Sequence, residues 1–322
     1  MSEVKVALGR RLFFDTRLSV TGQYSCASCH DPRRSFSDGR THAVGATGAN
    51  LPHSAMPLIN VAYNVSFGWS DPKLTSLEAQ MLQPLLNEHP VELGLRGHED
   101  RVVAALSRDE SYRAAFTSAF ASNPQPSDSP RREAVTPPPG PRSAAPVSFD
   151  HIVKAIAAFE RTLVFGDSPF DRYVFGGEHA ALSPAAKRGM ALFFSARSGC
   201  SSCHSGFNFA GNWRDSQGET GEASFASNGT TDQPMRVPTL RNIAVTAPYM
   251  HDGRFATLNA VLDHYARVAK QARSHAIKAE SRSDARLRTF DLSAPECADL
   301  IEFLQSLTSS APGPSVVRTA GR

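Results

Sequence analysis

Two short segments of the sequence combine a pair of cysteines with a histidine at a spacing that suits covalent attachment of haem. Each has the form Cys-x-x-Cys-His, and the two sets are Cys26, Cys29 and His30, and Cys200, Cys203 and His204. In this pattern the thiols add to the two vinyl groups of a haem, and the histidine lies under the iron as its proximal ligand. The sequence therefore predicts two covalently bound haems c, with His30 and His204 as iron ligands.

An internal repeat supports this interpretation over the alternative of structural zinc, which cysteine pairs can also bind. Both motifs follow the same lead, Gly-x-x-Leu-Phe-Phe, at residues 9–14 and again at residues 189–194. One short helix thus leads twice into the same motif. Two related domains, each with its own haem, are the expectation.

Helical periodicity dominates the remaining sequence, and we find no convincing alternating strand pattern. Thr75 with Glu78 and Ser293 with Glu296 have the spacing of capping boxes, and Asp150 can cap a further helix. The predicted fold class is mostly α, with two cytochrome c-like helical domains that each carry one covalent haem c.

The predicted domain boundaries follow the repeat and the composition. Residues 1–166 form the N-terminal haem domain, with a Pro-rich loop at about 122–147. Residues 167–312 form the C-terminal cytochrome c-like haem domain, and residues 313–322 form a tail.

Overall composition excludes several classes of function. The net charge of +3 and the lack of a basic block make nucleic acid a poor partner. No apolar run reaches the length of a membrane span. The chain begins without a signal peptide, but haem c is attached outside the cytoplasm in bacteria, so we expect an exported, periplasmic protein whose signal is absent from this chain.

The fifth cysteine, Cys297, is expected to be a small buried hydrophobic residue.

Several ordered segments of the sequence resemble the bacterial di-haem cytochrome c peroxidases and their relative MauG. The matching segments are residues 58–64, 77–80, 90–95, 158–163, 170–173, 237–242 and 247–253. The resemblance implies an N-terminal haem with an open position for hydrogen peroxide. It also implies that Gln80 and Glu92 move the proton between the peroxide oxygens. The segment at residues 87–90 is longer than the corresponding segment of the usual peroxidases. Glu88 and His89 are therefore alternatives to Glu92 as the acid–base group.

The resemblance also assigns residues between the haems and at the second iron. Trp69 matches a tryptophan that relays electrons from one haem to the other. Tyr265 matches the position of the sixth ligand of the second haem, with Met250 and Met235 as alternatives. A phenolate ligand lowers the potential of the iron, whereas a thioether raises it.

Two further features of the family have weaker counterparts in this sequence. Some peroxidases carry a histidine that blocks the first haem until reduction. His53 lies near that position, and His42 and His89 are alternatives. A surface histidine without this role is the commoner explanation. The family also holds Ca²⁺ between the haems. Asn60 matches one calcium ligand, and carbonyl groups near Arg236 and Pro238 match the other contacts.

Three functions follow as hypotheses. The first is a MauG-like oxidase, in which peroxide forms a high-valent di-haem state that oxidises a residue of a partner protein. The lengthened 87–94 segment further resembles MbnH, a MauG relative that converts a partner's tryptophan to kynurenine. The second is a cytochrome c peroxidase supplied with electrons by a small cytochrome or cupredoxin. The third is a di-haem electron carrier without catalysis.

Overall fold

The regular secondary structure of the described part of the molecule is almost entirely helical. The computed structural model describes residues 1–121, 147–211, 225–226, 235–275 and 290–309. Its α-helices are α1 Glu3–Phe13, α2 Cys26–Cys29, α3 Leu77–Leu86, α4 Glu99–Arg108, α5 Glu110–Phe120, α6 Phe149–Glu160, α7 Pro169–Val174, α8 Pro184–Phe193, α9 Leu258–His275 and α10 Ala294–Gln305. Within these ranges the strands are β1 Phe225–Ala226 and β2 Met235–Arg236, which pair antiparallel. The mostly α class is confirmed, whereas nearly all of the predicted Pro-rich loop and the whole of the tail lie outside the described residues.

Local capping signals predicted some helix starts correctly and others wrongly. Ser293 and Glu296 form the predicted capping box of α10. Helix α3 instead begins after Ser76, whose hydroxyl accepts from the Ala79 amide at 3.1 Å, so the predicted box at Thr75 is wrong. Its intended acid, Glu78, forms a bidentate ion pair with Arg161 of the neighbouring segment, at 2.7 Å for each bond.

The cap predicted at Asp150 is also wrong. Ser148 caps α6 by accepting from the His151 amide at 3.2 Å. Asp150 lies in the first turn of the helix and pairs with Lys154 at 2.7 Å. A carboxylate in that turn still favours the helix because it faces the positive end of the helix dipole.

The buried apolar side chains form two clusters. One contains residues between Leu8 and Phe165, and the other contains residues between Phe170 and Leu307. Cys297 is half-buried and packs against the second cluster. Among the described residues, no helix is long and apolar enough to cross a membrane.

The two halves repeat one helix packing. Helix α1 crosses α6 at Gly9, where a Cβ atom would overlap the carbonyl oxygen of Ala155. Helix α8 crosses α10 at Gly189, where a Cβ atom would overlap the carbonyl oxygen of Asp299 in the same way. Glycine is required at both crossings because the helix backbones approach too closely for any side chain.

An asparagine turn extends the repeat. Asn60 and Asn242 both adopt the left-handed conformation with φ of 57°. The Asn60 side-chain oxygen accepts from the Phe165 amide at 2.7 Å, and that of Asn242 accepts from the Ser309 amide at 2.9 Å. Each asparagine thus ties its turn to the chain that follows α6 or α10. The partner residues in and after α6 and α10 share one numbering offset, since Ala155 corresponds to Asp299 and Phe165 to Ser309. Residue 160 of the first half therefore corresponds to residue 304 of the second.

Candidate functional site: two Cys-x-x-Cys-His centres

The first motif opens onto a cavity that is larger than a second cavity lined by Pro238 and Met250. The cavity has a volume of about 370 Å³, and its lining includes Cys26, Cys29, His30, Trp69, Gln80 and Glu92. Helix α2 carries the cysteines, α3 carries Gln80, and loops carry the other members. Burial raises the pKa of Cys26, and it raises the pKa of Cys29 to about 11, so both are neutral thiols before haem is attached.

Both motif histidines are oriented by the same kind of hydrogen bond. His30 Nδ1 lies 2.8 Å from the Phe36 carbonyl oxygen, and His204 Nδ1 lies 2.9 Å from the Phe209 carbonyl oxygen. A carbonyl oxygen accepts, so Nδ1 carries the proton and Nε2 keeps its lone pair for a metal. Burial lowers the pKa of both rings, which keeps them neutral. Two thiols beside an imidazole prepared in this way fit a covalently bound haem.

The position of Glu92 on the cavity wall distinguishes it from the alternatives Glu88 and His89. Glu92 and Gln80 line the cavity, and burial raises the pKa of Glu92 to about 7. Glu88 and His89 are exposed and do not line it, and Glu88 instead pairs with Arg96 at 3.5 Å. A carboxyl that titrates near neutral pH can accept a proton and return it. The geometry therefore favours Glu92 as the acid–base group.

Replacing Glu92 by Gln should slow the reaction of the haem-loaded protein with peroxide by about 10²–10⁴-fold, the usual contribution of a positioned acid–base group. Because the pKa of Glu92 is raised to about 7, the wild-type rate should rise as pH increases through that value and the carboxylate forms. Stopped-flow rates on both sides of pH 7 test this. Glu88→Gln, which alters an exposed carboxylate, is the control and should keep both rate and profile. An inflection that survives in Glu92→Gln would exclude Glu92.

Trp69 contacts residues of both halves. Its indole N–H donates to the Ser54 carbonyl oxygen at 3.1 Å. Its ring centroid lies 6.1 Å from that of His53 and 6.3 Å from that of His251. Its own carbonyl accepts from the Arg236 amide at 2.7 Å. Trp69 thus lines the first cavity while it touches the 235–251 region of the second half, as a relay between two centres requires.

Tyr265 of α9 lies beside the second motif. Burial raises the pKa of its phenol. Thiolate charge on Cys200 or Cys203 would raise that pKa further, because the Tyr265 side chain lies close to both cysteines. A buried phenol loses its proton when a cation such as ferric iron lies against its oxygen. Of the alternatives, Met250 lines the smaller cavity and Met235 lies in β2. Tyr265 as sixth ligand remains a prediction that its position supports.

His53 lies on the wall of the first cavity, next to the second half. Its ring is half-buried, 5.4 Å from the ring of His251, and its Nδ1 atom is buried without a hydrogen-bond partner among the described residues. His42, by contrast, contacts the Leu51 carbonyl oxygen at 3.0 Å through Nδ1, and His89 is exposed. A gating role for His53 stays a prediction.

The side chain of Asn60, which is predicted to contact calcium, has other partners in the structure. Both amide atoms of Asn60 bond to the backbone of Phe165, at 2.7 and 2.9 Å. The Arg236 side chain is buried and donates to the Gly68 carbonyl oxygen at 3.0 Å. Pro238 lines the smaller cavity. Since Asn242 makes a corresponding amide bond, the turn alone accounts for Asn60, and calcium remains a prediction.

Sequence analysis missed two buried groups on the wall of the first cavity. Glu160 ends α6 and is only 5% exposed. Its signal was present, since it lies four residues after Ile156 on the apolar face of the helix. The Arg236 guanidinium is also buried there, which lowers its pKa to about 10. A charged residue in a short strand carries no sequence signal of burial.

Fold and motifs together define the class of protein: a helical protein of the cytochrome c type with two haem-attachment motifs. The chain belongs to the di-haem cytochrome c peroxidase family, whose model matches residues 3–179, more than half of its length. Membership makes it a haem-dependent oxidoreductase of the peroxidase superfamily, and haem c is the cofactor that the family implies.

Individual relatives include both branches of the family. The methylamine utilization protein MauG of Methylorubrum extorquens is 35% identical over 310 residues, which is 94% of this chain and 78% of the relative. The cytochrome c551 peroxidase of Pseudomonas aeruginosa is 31% identical over 79% of this chain and 69% of the relative. Among solved structures, a MauG-like protein associated with microbial copper homeostasis aligns with a TM-score of 0.81 and 34% identity, over 97% of this chain and 91% of that chain.

Proposed function

We propose that the protein is a MauG-like di-haem oxidase, which uses hydrogen peroxide to withdraw electrons from a side chain of a partner protein. The observation that carries the proposal is the unlike surroundings of the two motifs. One faces an open cavity with an acid–base pair, and the other has a half-buried tyrosine beside its cysteines. Bound haem would accept peroxide at the first centre and supply the oxidising power there.

The residues of the first cavity handle the peroxide protons. Glu92, as carboxylate, accepts a proton from the oxygen of peroxide that approaches the first centre, and it returns that proton to the departing oxygen as water forms. Gln80 has an amide N–H that can orient the peroxide by donating to it. His30 and the two cysteines of the first motif would hold the cofactor.

Tyr265 and Trp69 give this chain the character of an oxidase. As a phenolate, Tyr265 would donate charge to a haem held by the second motif and so favour its oxidised form until a partner arrives. Trp69, whose indole is easily oxidised, connects the two centres. A partner's tryptophan is the substrate side chain we favour, as in the relative with the same lengthened 87–94 segment. Because haem c is attached outside the cytoplasm, we place this reaction in the periplasm.

Addition of one equivalent of peroxide to the diferric protein tests the proposal. The oxidase should react without prior reduction and hold its oxidised state for longer than it takes to mix in a partner protein. Visible spectroscopy follows both. A protein that reacts only after one-electron reduction, and then turns over with a small cytochrome as donor, is a cytochrome c peroxidase. A protein with no reaction in either state is an electron carrier.

A further inference from the structure

Glu160 is a buried acid for which neither the fold nor the proposed reaction has a use. It is the last residue of α6, is 5% exposed and lines the cavity of the first motif. Its Oε2 atom is buried without a hydrogen-bond partner among the described residues. Burying a carboxyl in this way is unfavourable, so one expects a compensating role.

The second half of the molecule provides an internal comparison. The register set by the glycine crossings and the asparagine turns places Leu304 of α10 where the first half has Glu160. Leu304 is similarly buried, at 7% exposed, within the second apolar cluster. The helix packing is therefore satisfied by an apolar side chain at this position. The acid belongs to the first centre rather than to the fold.

The surroundings of Glu160 keep it protonated. Burial raises its pKa to about 8, with Arg161 lowering and Glu78 raising that value. These two charged groups are paired with each other at 2.7 Å, so neither is a counter-ion for Glu160. Cys26 lies near enough for a charge on Glu160 to raise the pKa of its thiol. Glu160 thus faces the part of the cavity where the first thioether forms.

We propose that Glu160 is a redox-linked proton site of the N-terminal haem. Glu160 releases its proton to the cavity solvent as one electron leaves the bound haem, and it recovers the proton when the electron returns. The net charge beside the iron therefore changes less on oxidation or reduction of the haem than it would without Glu160. The inference rests on the proposed function only in taking haem to be bound at Cys26, Cys29 and His30.

Potentiometric titration of the N-terminal haem over a series of pH values tests the proposal. If one proton accompanies each electron, the equilibrium constant for reduction of the wild-type haem should change tenfold per pH unit. This corresponds to a shift of about 59 mV per pH unit in the reduction potential. The potential should fall as pH rises. In Glu160→Gln the slope should fall well below the wild-type value over the same pH range. Glu160→Leu, which copies the second half, provides a second variant if the amide disturbs folding.

Two comparisons make the result specific. Glu88→Gln, which alters an exposed carboxylate outside the cavity, should keep the pH dependence. The infrared difference spectrum between reduced and oxidised protein should lose a protonated-carboxyl band in Glu160→Gln alone. A slope that persists in both Glu160 variants, or that disappears only in Glu92→Gln, would overturn the inference. Failure to find any haem on the first motif by mass spectrometry would instead contradict the proposed function.

Discussion

Replacement of Tyr265 by Phe should abolish the long-lived oxidised state of the protein. The phenolate is the group proposed to donate charge to the second iron, and phenylalanine keeps the ring but has no oxygen to offer. Decay of the oxidised state should accelerate at least about tenfold, a barrier lower by about 1.4 kcal/mol. The low-spin signal of the second haem should disappear with it. Visible and EPR spectra after one equivalent of peroxide measure both effects.

Two further tyrosine variants make this result specific to the ligand. Tyr173 lies against His179 and Lys187, away from both motifs, and Tyr173→Phe should leave the decay unchanged. Tyr265→Met should restore six-coordination but raise the potential of the second haem, because a thioether favours reduced iron. If the low-spin signal and the lifetime survive intact in Tyr265→Phe, the ligand assignment is wrong.

Replacement of Trp69 by Phe should separate the two haems electronically. Peroxide should still react at the first centre, but oxidation of the second should slow at least about tenfold, an added barrier of about 1.4 kcal/mol. Phenylalanine fills the space beside His53 and His251 but is far harder to oxidise than indole. Rapid-scan spectroscopy, which resolves the two haems by their spin states, measures the two steps separately.

The matched variant for Trp69 is Trp69→Tyr. Tyrosine changes the shape of the site about as much as phenylalanine does but can itself be oxidised, so it should recover part of the rate. Equal rates for wild type and Trp69→Phe would show that electrons pass by another route. Equal losses in the Phe and Tyr variants would assign Trp69 a packing role.

The class of fold and both attachment motifs could be predicted from sequence because their chemistry is local. Two thioethers and a proximal histidine must come from one turn of chain, so Cys26, Cys29 and His30 are close in sequence as they are in space. The boundaries of helices were less accessible. Glu78 has the right spacing for a capping box, but it contacts Arg161 across the structure, and this tertiary ion pair replaces the local bond.

The composition of the cavity could be predicted only in part. Trp69, Gln80 and Glu92 come from separate segments, and family resemblance named them before any geometry did. The structure brings them to one wall. Glu160 was overlooked because an acid at the end of a helix usually faces solvent. Its place on the apolar face of α6 was the one signal in the sequence, and the structure shows that it is buried on the cavity wall.

Ligand binding to the diferric protein tests the central claim most directly, namely that the two centres differ in access. EPR spectra should show one high-spin and one low-spin haem, and added cyanide should convert the high-spin signal alone. We attribute the expected difference to the open cavity at Glu92 and to the phenol of Tyr265 beside the second motif. Two haems that both bind cyanide, or two that both refuse it, would contradict this account.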